Sequence, residues 1–322
     1  MRQDRRDGRE GNEHMDHANG RHLVIARVGD NSLHGHWIAG GRAARDWDIQ
    51  LNAFGRQAAA LAPGDLPTVV DPGTKLDSLA RHLRAMPALL EDYDYILLPD
   101  DDLLMGPGDI DRIFAAMRRH DLLIGQPALT PDSHVGHPIF LHCPGFRLRY
   151  TDYLEGMACC FRSDYLRQLL PLFERYPSGW GISHLWALLM EAPYRRAAII
   201  DEVRMVHTRP FHSGPLYCSL AAGGISPAAE VAAVRADYAG VPRRMTVYGG
   251  LREDGRSCGA GETLWRNGLH LLGAAPAARN RQRMLRKGTD MLARAVLDAG
   301  YQPRPLRQAT AATLGSGRTA PA

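Results

Sequence analysis

Long hydrophobic runs are missing from this chain of 322 residues. No stretch supplies the roughly 18 consecutive apolar residues of a membrane-crossing helix, which excludes a span of that kind. The N-terminus, MRQDRRDGREGNEHMDHANG, holds no apolar segment that could serve as a signal peptide, so residues 1–20 are expected to be an untargeted, disordered tail. Cysteine is scarce as well. Five are present, an odd number that includes the adjacent Cys159 and Cys160, so reduced, buried thiols in a cytoplasmic protein are expected rather than a disulfide framework. There is no glycine-rich phosphate loop, no RNA-binding or helix-turn-helix pattern and no internal repeat. Nucleic acid is therefore a poor candidate partner.

What is present is enough for a large core. The hydrophobic fraction of 45% is that of a globular protein, and disorder as the main state is excluded. Charge is unevenly placed: from Arg266 onward ten Arg or Lys stand against two Asp, which leaves the preceding residues mildly acidic. A basic arm of this kind can meet phosphate groups or an anionic membrane surface, and a solvated basic helix is the plainer alternative.

Apolar spacing divides the chain. HLVIARV (22–28) is a β-branched run without alternation, the pattern of a strand covered on both faces. Leu76, Leu79, Leu83 and Met86 recur at steps of three and four, which predicts a helix from Lys75 to about Leu90. YILLP follows as a second buried strand. Asp109 can then cap a helix in which Ile110, Ile113, Phe114 and Met117 share a face, and DLLIGQPAL reads as another strand. Ser163 can cap a further helix, and RAAIIDEVRMVHTRP supplies a late strand ending at His207. Alternation of this kind predicts an α/β sheet flanked by helices, whose ligands bind beyond the carboxyl ends of strands. Beyond Pro215 the chain is rich in Gly, Ala and Arg, and Met284 to Val296 sketch a basic amphipathic helix weakened by Gly288.

At the end of YILLP stand Asp100, Asp101 and Asp102. Leu97 and Leu98 before them, and Leu103 and Leu104 after, would hold these carboxylates near a core, where unneutralised charge is costly. A hard cation removes that cost. Mg²⁺ or Mn²⁺ takes carboxylate oxygens and leaves positions for substrate phosphates, and in an extended segment Asp100 and Asp102 would point the same way.

A strand followed by D-x-D resembles the nucleotide-sugar glycosyltransferases of the GT-A fold, a Rossmann-like mixed sheet. The resemblance extends to six blocks in order: DWDIQLNAFG, YDYILLPDDDL, QPALTPDSHVGHP, LRYTDYLEGMACCF, SGWG and AIIDEVRMVHTRP. Together they look like the family known as domain of unknown function 707, over roughly residues 22–211. The resemblance implies transfer of a sugar from a nucleotide-sugar donor to a glycan or other hydroxyl acceptor. It implies a metal on Asp102 and His207, with Asp100 on the metal or the ribose and Asp101 beside the donor. Arg27 and Arg209 are candidate phosphate partners and Asp48 a candidate nucleoside contact, with salt bridges and a helix cap as their alternatives. The family places an acid shortly after GWG, yet this chain reads GWGISHLW. Ser183 and His184 stand where the base belongs, so His184, Glu155 and Asp152 are the substitutes. Trp180, between two glycines, is a candidate platform for an acceptor sugar, or simply a packing residue.

Three other readings use the same residues. A zinc hydrolase would draw on His134, His137, His142 and Cys143, although their spacing matches no zinc signature. A non-catalytic nucleotide-sugar or carbohydrate binder would keep the metal and dispense with the base. A Mg²⁺-dependent nucleotidyl- or phosphotransferase would use the same aspartates. The organisation expected is a GT-A-like domain over 21–215, then a basic helical extension over 216–322 that ends in a flexible tail.

Overall fold

The computed structural model describes residues 21–55, 61–210, 220 and 223–308. Both expected tails therefore lie outside the described residues, apart from the stretch up to 308.

The strands in chain order are β1 (His22–Val28), β2 (Asp48–Ala53), β3 (Leu66–Val70), β4 (Tyr95–Pro99), β5 (Leu103–Leu104), β6 (Ile124–Leu129), β7 (Phe146–Thr151), β8 (Ala158–Arg162) and β9 (Ala197–His207). Later come β10 (Tyr238–Ala239), β11 (Val247–Arg252), β12 (Ser257–Gly259) and β13 (Arg307–Gln308). Eleven of them form one sheet in the order β3-β2-β1-β4-β8-β6-β9-β7-β11-β12, with β5 attached to β9, while β10 and β13 pair separately. β1 is parallel to β2 and β4, and β2 to β3. β8 runs antiparallel between β4 and β6, and β6 is parallel to β9. Seven strands, β1, β2, β3, β4, β6, β9 and β11, thus run the same way and direct their carboxyl ends to one edge, β11 because it is antiparallel to β7 and β7 to β9. That edge is where ligands of open α/β sheets bind.

Burial explains why these segments are strands. Every residue of β1, β4 and β6 is buried, as expected where helices cover both faces of a sheet. The helix predicted from Lys75 to about Leu90 stops at Ala85 and resumes as Leu89–Asp92. Pro87 is the reason, because its ring excludes helical geometry from Met86, which sits at φ −127° and ψ 66°. Asp109 lies inside the helix Pro107–Arg119 rather than capping it from outside, and its Oδ2 accepts from the Gly106 amide at 2.8 Å. Ser163 is likewise the first helical residue of Ser163–Arg175, not its cap.

The segment beyond residue 215 departs furthest from expectation. It is not helical throughout, because β11 pairs antiparallel with β7 and β12 with β11, extending the main sheet. Helices Ala260–Ala274 and Arg281–Leu297 pack on each other where glycines meet: a Cβ on Gly268 would fall 3.0 Å from the Gly288 carbonyl oxygen. Gly288 therefore permits close packing rather than weakening the helix.

Candidate functional site

The chain leaves the sheet at Pro99 and turns at Asp101 and Asp102, so the alternation expected of an extended segment does not apply. The three carboxylates meet three different partners. Asp100 Oδ1 accepts from Lys75 Nζ at 2.7 Å. Asp101 is buried, with Oδ2 accepting from the Gly29 amide at 2.7 Å and Oδ1 from Arg209 Nη1 at 2.8 Å. Asp102 Oδ2 stands 3.3 Å from His207 Nε2, and its Oδ1 is buried without a hydrogen-bond partner. Burial pushes both Asp100 and Asp101 above the usual carboxylate range; Lys75 pulls against it at Asp100, the Gly29 amide and Arg209 at Asp101.

His207 reaches Asp102 through strand pairing. As the last residue of β9 it is the register partner of Leu103 in β5, the strand that follows the aspartates. Its Nδ1 lies 2.8 Å from the His134 carbonyl oxygen, which can only accept, so Nδ1 carries a proton and Nε2 is the nitrogen that faces Asp102. Burial lowers the His207 pKa, but hydrogen bonding and attraction from Asp102 outweigh it and the net displacement is upward.

A set of three on Asp100, Asp102 and His207 is not assembled. Among the described residues no group of three or more His, Cys, Asp or Glu is arranged to hold a metal, because Asp100 is turned to Lys75. The same observation removes the zinc cluster of His134, His137, His142 and Cys143.

Of the candidate bases, Glu155 faces the site. It lies in the turn before β8, its Oε1 is 3.5 Å from His137 Nε2, and its Oε2 is buried without a partner. Burial raises its pKa to about 8, against the pull of His207 and Arg283 and with the help of Asp100. Asp152 is committed elsewhere, since Oδ1 accepts from the Thr246 amide at 2.7 Å and Oδ2 from Tyr301 Oη at 2.9 Å. His184 lies in the short turn Ile182–His184 with its ring 4.9 Å from that of Tyr153, and burial, then Arg235, lower it to about 4.

The remaining candidates separate cleanly. Trp180 is 39% exposed, next to Gly179 at φ +80°, in a loop that Glu230 holds by accepting from the amides of Ser178 and Gly181, each at 2.8 Å. Arg27 is buried and spends its guanidinium on Asn52, Ser78 and the Gly73 carbonyl. Asp48 is excluded from the donor set. It begins β2 and so lies at the opposite end of a six-residue strand, about 17 Å from the carboxyl edge, bonded to Tyr93 and Arg42.

Nor does the basic segment project as an arm. Arg279 donates to the Asp132 carbonyl at 3.3 Å, Arg283 to that of Gly136 at 2.6 Å and Lys287 to that of Met245 at 2.8 Å. Three of its cations are thus tied to the main body, and no described helix is long and apolar enough to cross a membrane. Spacing and composition do not mark Lys75 or Glu230 as site residues, and they mark His137 only through the zinc reading. Each is a lone polar residue whose role comes from contacts made across the fold.

No family model matches the chain, and no curated protein does. Among solved structures, a CMP:2-keto-3-deoxy-manno-octonic acid synthetase complexed with CTP superposes with a TM-score of 0.29 at 9% identity, over 49% of this chain and 79% of that one. A likeness of that size carries no functional argument.

Proposed function

We propose that the protein is a metal-dependent glycosyltransferase that moves a sugar from a nucleotide-sugar donor to a hydroxyl acceptor. The observation that carries this reading is the pairing of Asp102 with His207 at the carboxyl edge of the sheet. A buried, unpartnered carboxylate oxygen beside an imidazole whose other nitrogen is held by a backbone carbonyl supplies two donors of the kind that cation sites use, which supports the reading. Mn²⁺ and Mg²⁺ fit them, since two protein ligands leave positions for the phosphates of a donor. When bound, the cation supplies the Lewis acidity that offsets charge on the departing nucleoside diphosphate.

The chain's own groups do the rest. Arg209, tied to Asp101, brings a guanidinium to the same edge. Glu155, with a pKa of about 8, is poised near neutral pH to take the acceptor proton. It fills the role left open by Ser183 and His184 after GWG. Trp180 offers an exposed ring to a sugar face.

A panel of nucleotide sugars scored by thermal shift, with and without Mn²⁺, tests the reading, because a ligand of the folded state raises its stability. At least one donor is expected to raise the melting temperature only when Mn²⁺ is present. No shift with any donor would remove the reading. Glu155→Gln then separates an enzyme from a binder: the shift should persist while release of nucleoside diphosphate stops.

A further inference from the structure

Glu155 sits in the irregular connection between β7 and β8, yet the backbone there is held group by group. The Leu154 carbonyl accepts from Trp186 Nε1 at 3.0 Å, and the Glu155 amide donates to Gln126 Oε1 at 3.0 Å. The Glu155 carbonyl accepts from Cys159 Sγ at 2.9 Å, and the Gly156 carbonyl from Lys75 Nζ at 2.8 Å. Side chains from four parts of the fold thus fix three consecutive residues. The Glu155 carboxyl is treated differently: its Oε2 is buried without a partner, and His137 Nε2 stands 3.5 Å from Oε1. A backbone fixed at this many points around a carboxyl with an unpartnered oxygen is the arrangement of a preorganised reactive group.

Gln126 is committed to Glu155 alone. Lys75 also binds Asp100 and the Leu98 carbonyl, Trp186 packs its ring against Phe161 and Phe173, and Cys159 is a core residue of β8. Gln126 is the polar residue of an otherwise apolar strand, IGQPAL, and is fully buried. Its Nε2 has no partner, which costs free energy in an interior, and a methionine of similar size would pack there without that cost. Among the described residues the one hydrogen bond its side chain makes goes to the Glu155 amide.

We propose that Gln126 is a positioning residue: by holding the Glu155 amide it keeps the carboxyl in its buried place, where it serves as the base. The role of base rests on the transferase reading; the placement does not.

Gln126→Met keeps the volume and removes the acceptor. Urea unfolding of wild type, Glu155→Gln, Gln126→Met and the double variant across pH 4 to 9 tests the placement without substrate or metal. Burial raises the Glu155 pKa from 4.5 to about 8, so in the wild-type background the advantage of Glu155→Gln should grow with pH through that interval and level off above it. The groups that face Glu155, namely His137, Tyr153, Cys159, His207, Arg283 and Asp100, are common to all four proteins. In the Gln126→Met background the released carboxyl meets more water, and the levelling should come about one pH unit lower or more. A merely structural loss would lower stability equally at every pH; an unmoved levelling point therefore overturns the proposal. Gln126→Asn, whose shorter side chain does not reach the amide, gives the same test should the methionine variant melt early.

With a donor that shifts wild type in the presence of Mn²⁺, Gln126→Met should keep the shift and the KM for the donor, while kcat for release of nucleoside diphosphate falls about tenfold or more. A moved levelling point with kcat unchanged would remove Glu155 from the reaction and leave the hold of Gln126 on it standing. If the point moves and no donor shifts wild type, the transferase reading falls and the placement stands; if donors bind and turn over while the point stays put, only the placement is retired.

Discussion

Lys75 Nζ lies 2.7 Å from Asp100 Oδ1 and 2.8 Å from the carbonyl oxygens of both Leu98 and Gly156. One ammonium therefore uses its three donors to tie the end of β4 to the turn that carries Glu155. It also compensates Asp100, whereas Asp102 keeps a buried oxygen without a hydrogen-bond partner.

Asp100→Asn should accordingly change Mn²⁺ affinity little, whereas Asp102→Asn and His207→Ala should each lower it about tenfold or more. Titration of the three variants with Mn²⁺, followed by calorimetry, checks this. Equal losses from Asp100→Asn and Asp102→Asn would restore Asp100 to the ligand set.

Glu155 makes stability depend on pH in a defined window. A carboxyl whose pKa rises from 4.5 to about 8 on folding binds its proton more tightly in the native state, so its ionisation makes stability fall as pH climbs through that interval. Glu155→Gln removes the effect. The variant should match wild type below about pH 4.5, gain on it by up to about 1.4 kcal/mol per pH unit until about pH 8, and run parallel above. Urea unfolding of both proteins across pH 4 to 9 measures the difference, and a constant offset would place Glu155 in an ordinary environment.

Apolar spacing made the sheet legible and left the site half legible, for a physical reason. β1, β4 and the first four residues of β9 are runs of core residues, so burial alone marks them, and the carboxyl-edge rule then locates Asp102 and His207 together. The partners of the other aspartates were hidden. Lys75 reads as a helix start and Gly29 as a loop glycine, and only the folded chain brings either to a carboxylate. β11 was missed because VYGGLR places two glycines in a strand, which weakens the pattern. Gly250 is tolerated there because Phe146 packs in the space that its Cβ would occupy, at 2.7 Å.

Glu230 offers a test of the GWG loop. Its carboxylate satisfies two buried amides, those of Ser178 and Gly181, and removing it leaves both without a partner. Glu230→Ala should cost about 2 kcal/mol or more. Glu230→Gln, which keeps one acceptor oxygen, should cost less. The emission of Trp180, isolated by difference against Trp180→Phe, should shift in the alanine variant; an unchanged spectrum would show that the loop holds its shape without Glu230.

The helix Ala260–Ala274 should unfold together with the core, because a fully buried charge network joins them. Arg149 donates to Asp201 through Nε at 2.7 Å and Nη2 at 2.8 Å, and through Nη1 to Asn267 Oδ1 at 2.8 Å, linking β7 and β9 to the helix Ala260–Ala274. A guanidinium stripped of its carboxylate in this interior has no water to turn to. Asp201→Ala should therefore lower stability by about 3–5 kcal/mol, while Arg149→Met with Asp201→Leu should recover much of the loss, because no charge then remains buried alone. Urea unfolding followed by circular dichroism and by tryptophan emission reads both quantities, with Trp265 reporting from the helix and Trp186 from the core. Coincident transitions in wild type mean one cooperative unit, and the Asp201→Ala transition should move to lower urea in both signals. A first transition seen only by a Trp265 probe, with Asp201→Ala affecting that step alone, would mean that the C-terminal helices unfold on their own and that Arg149 serves the sheet without binding them to it.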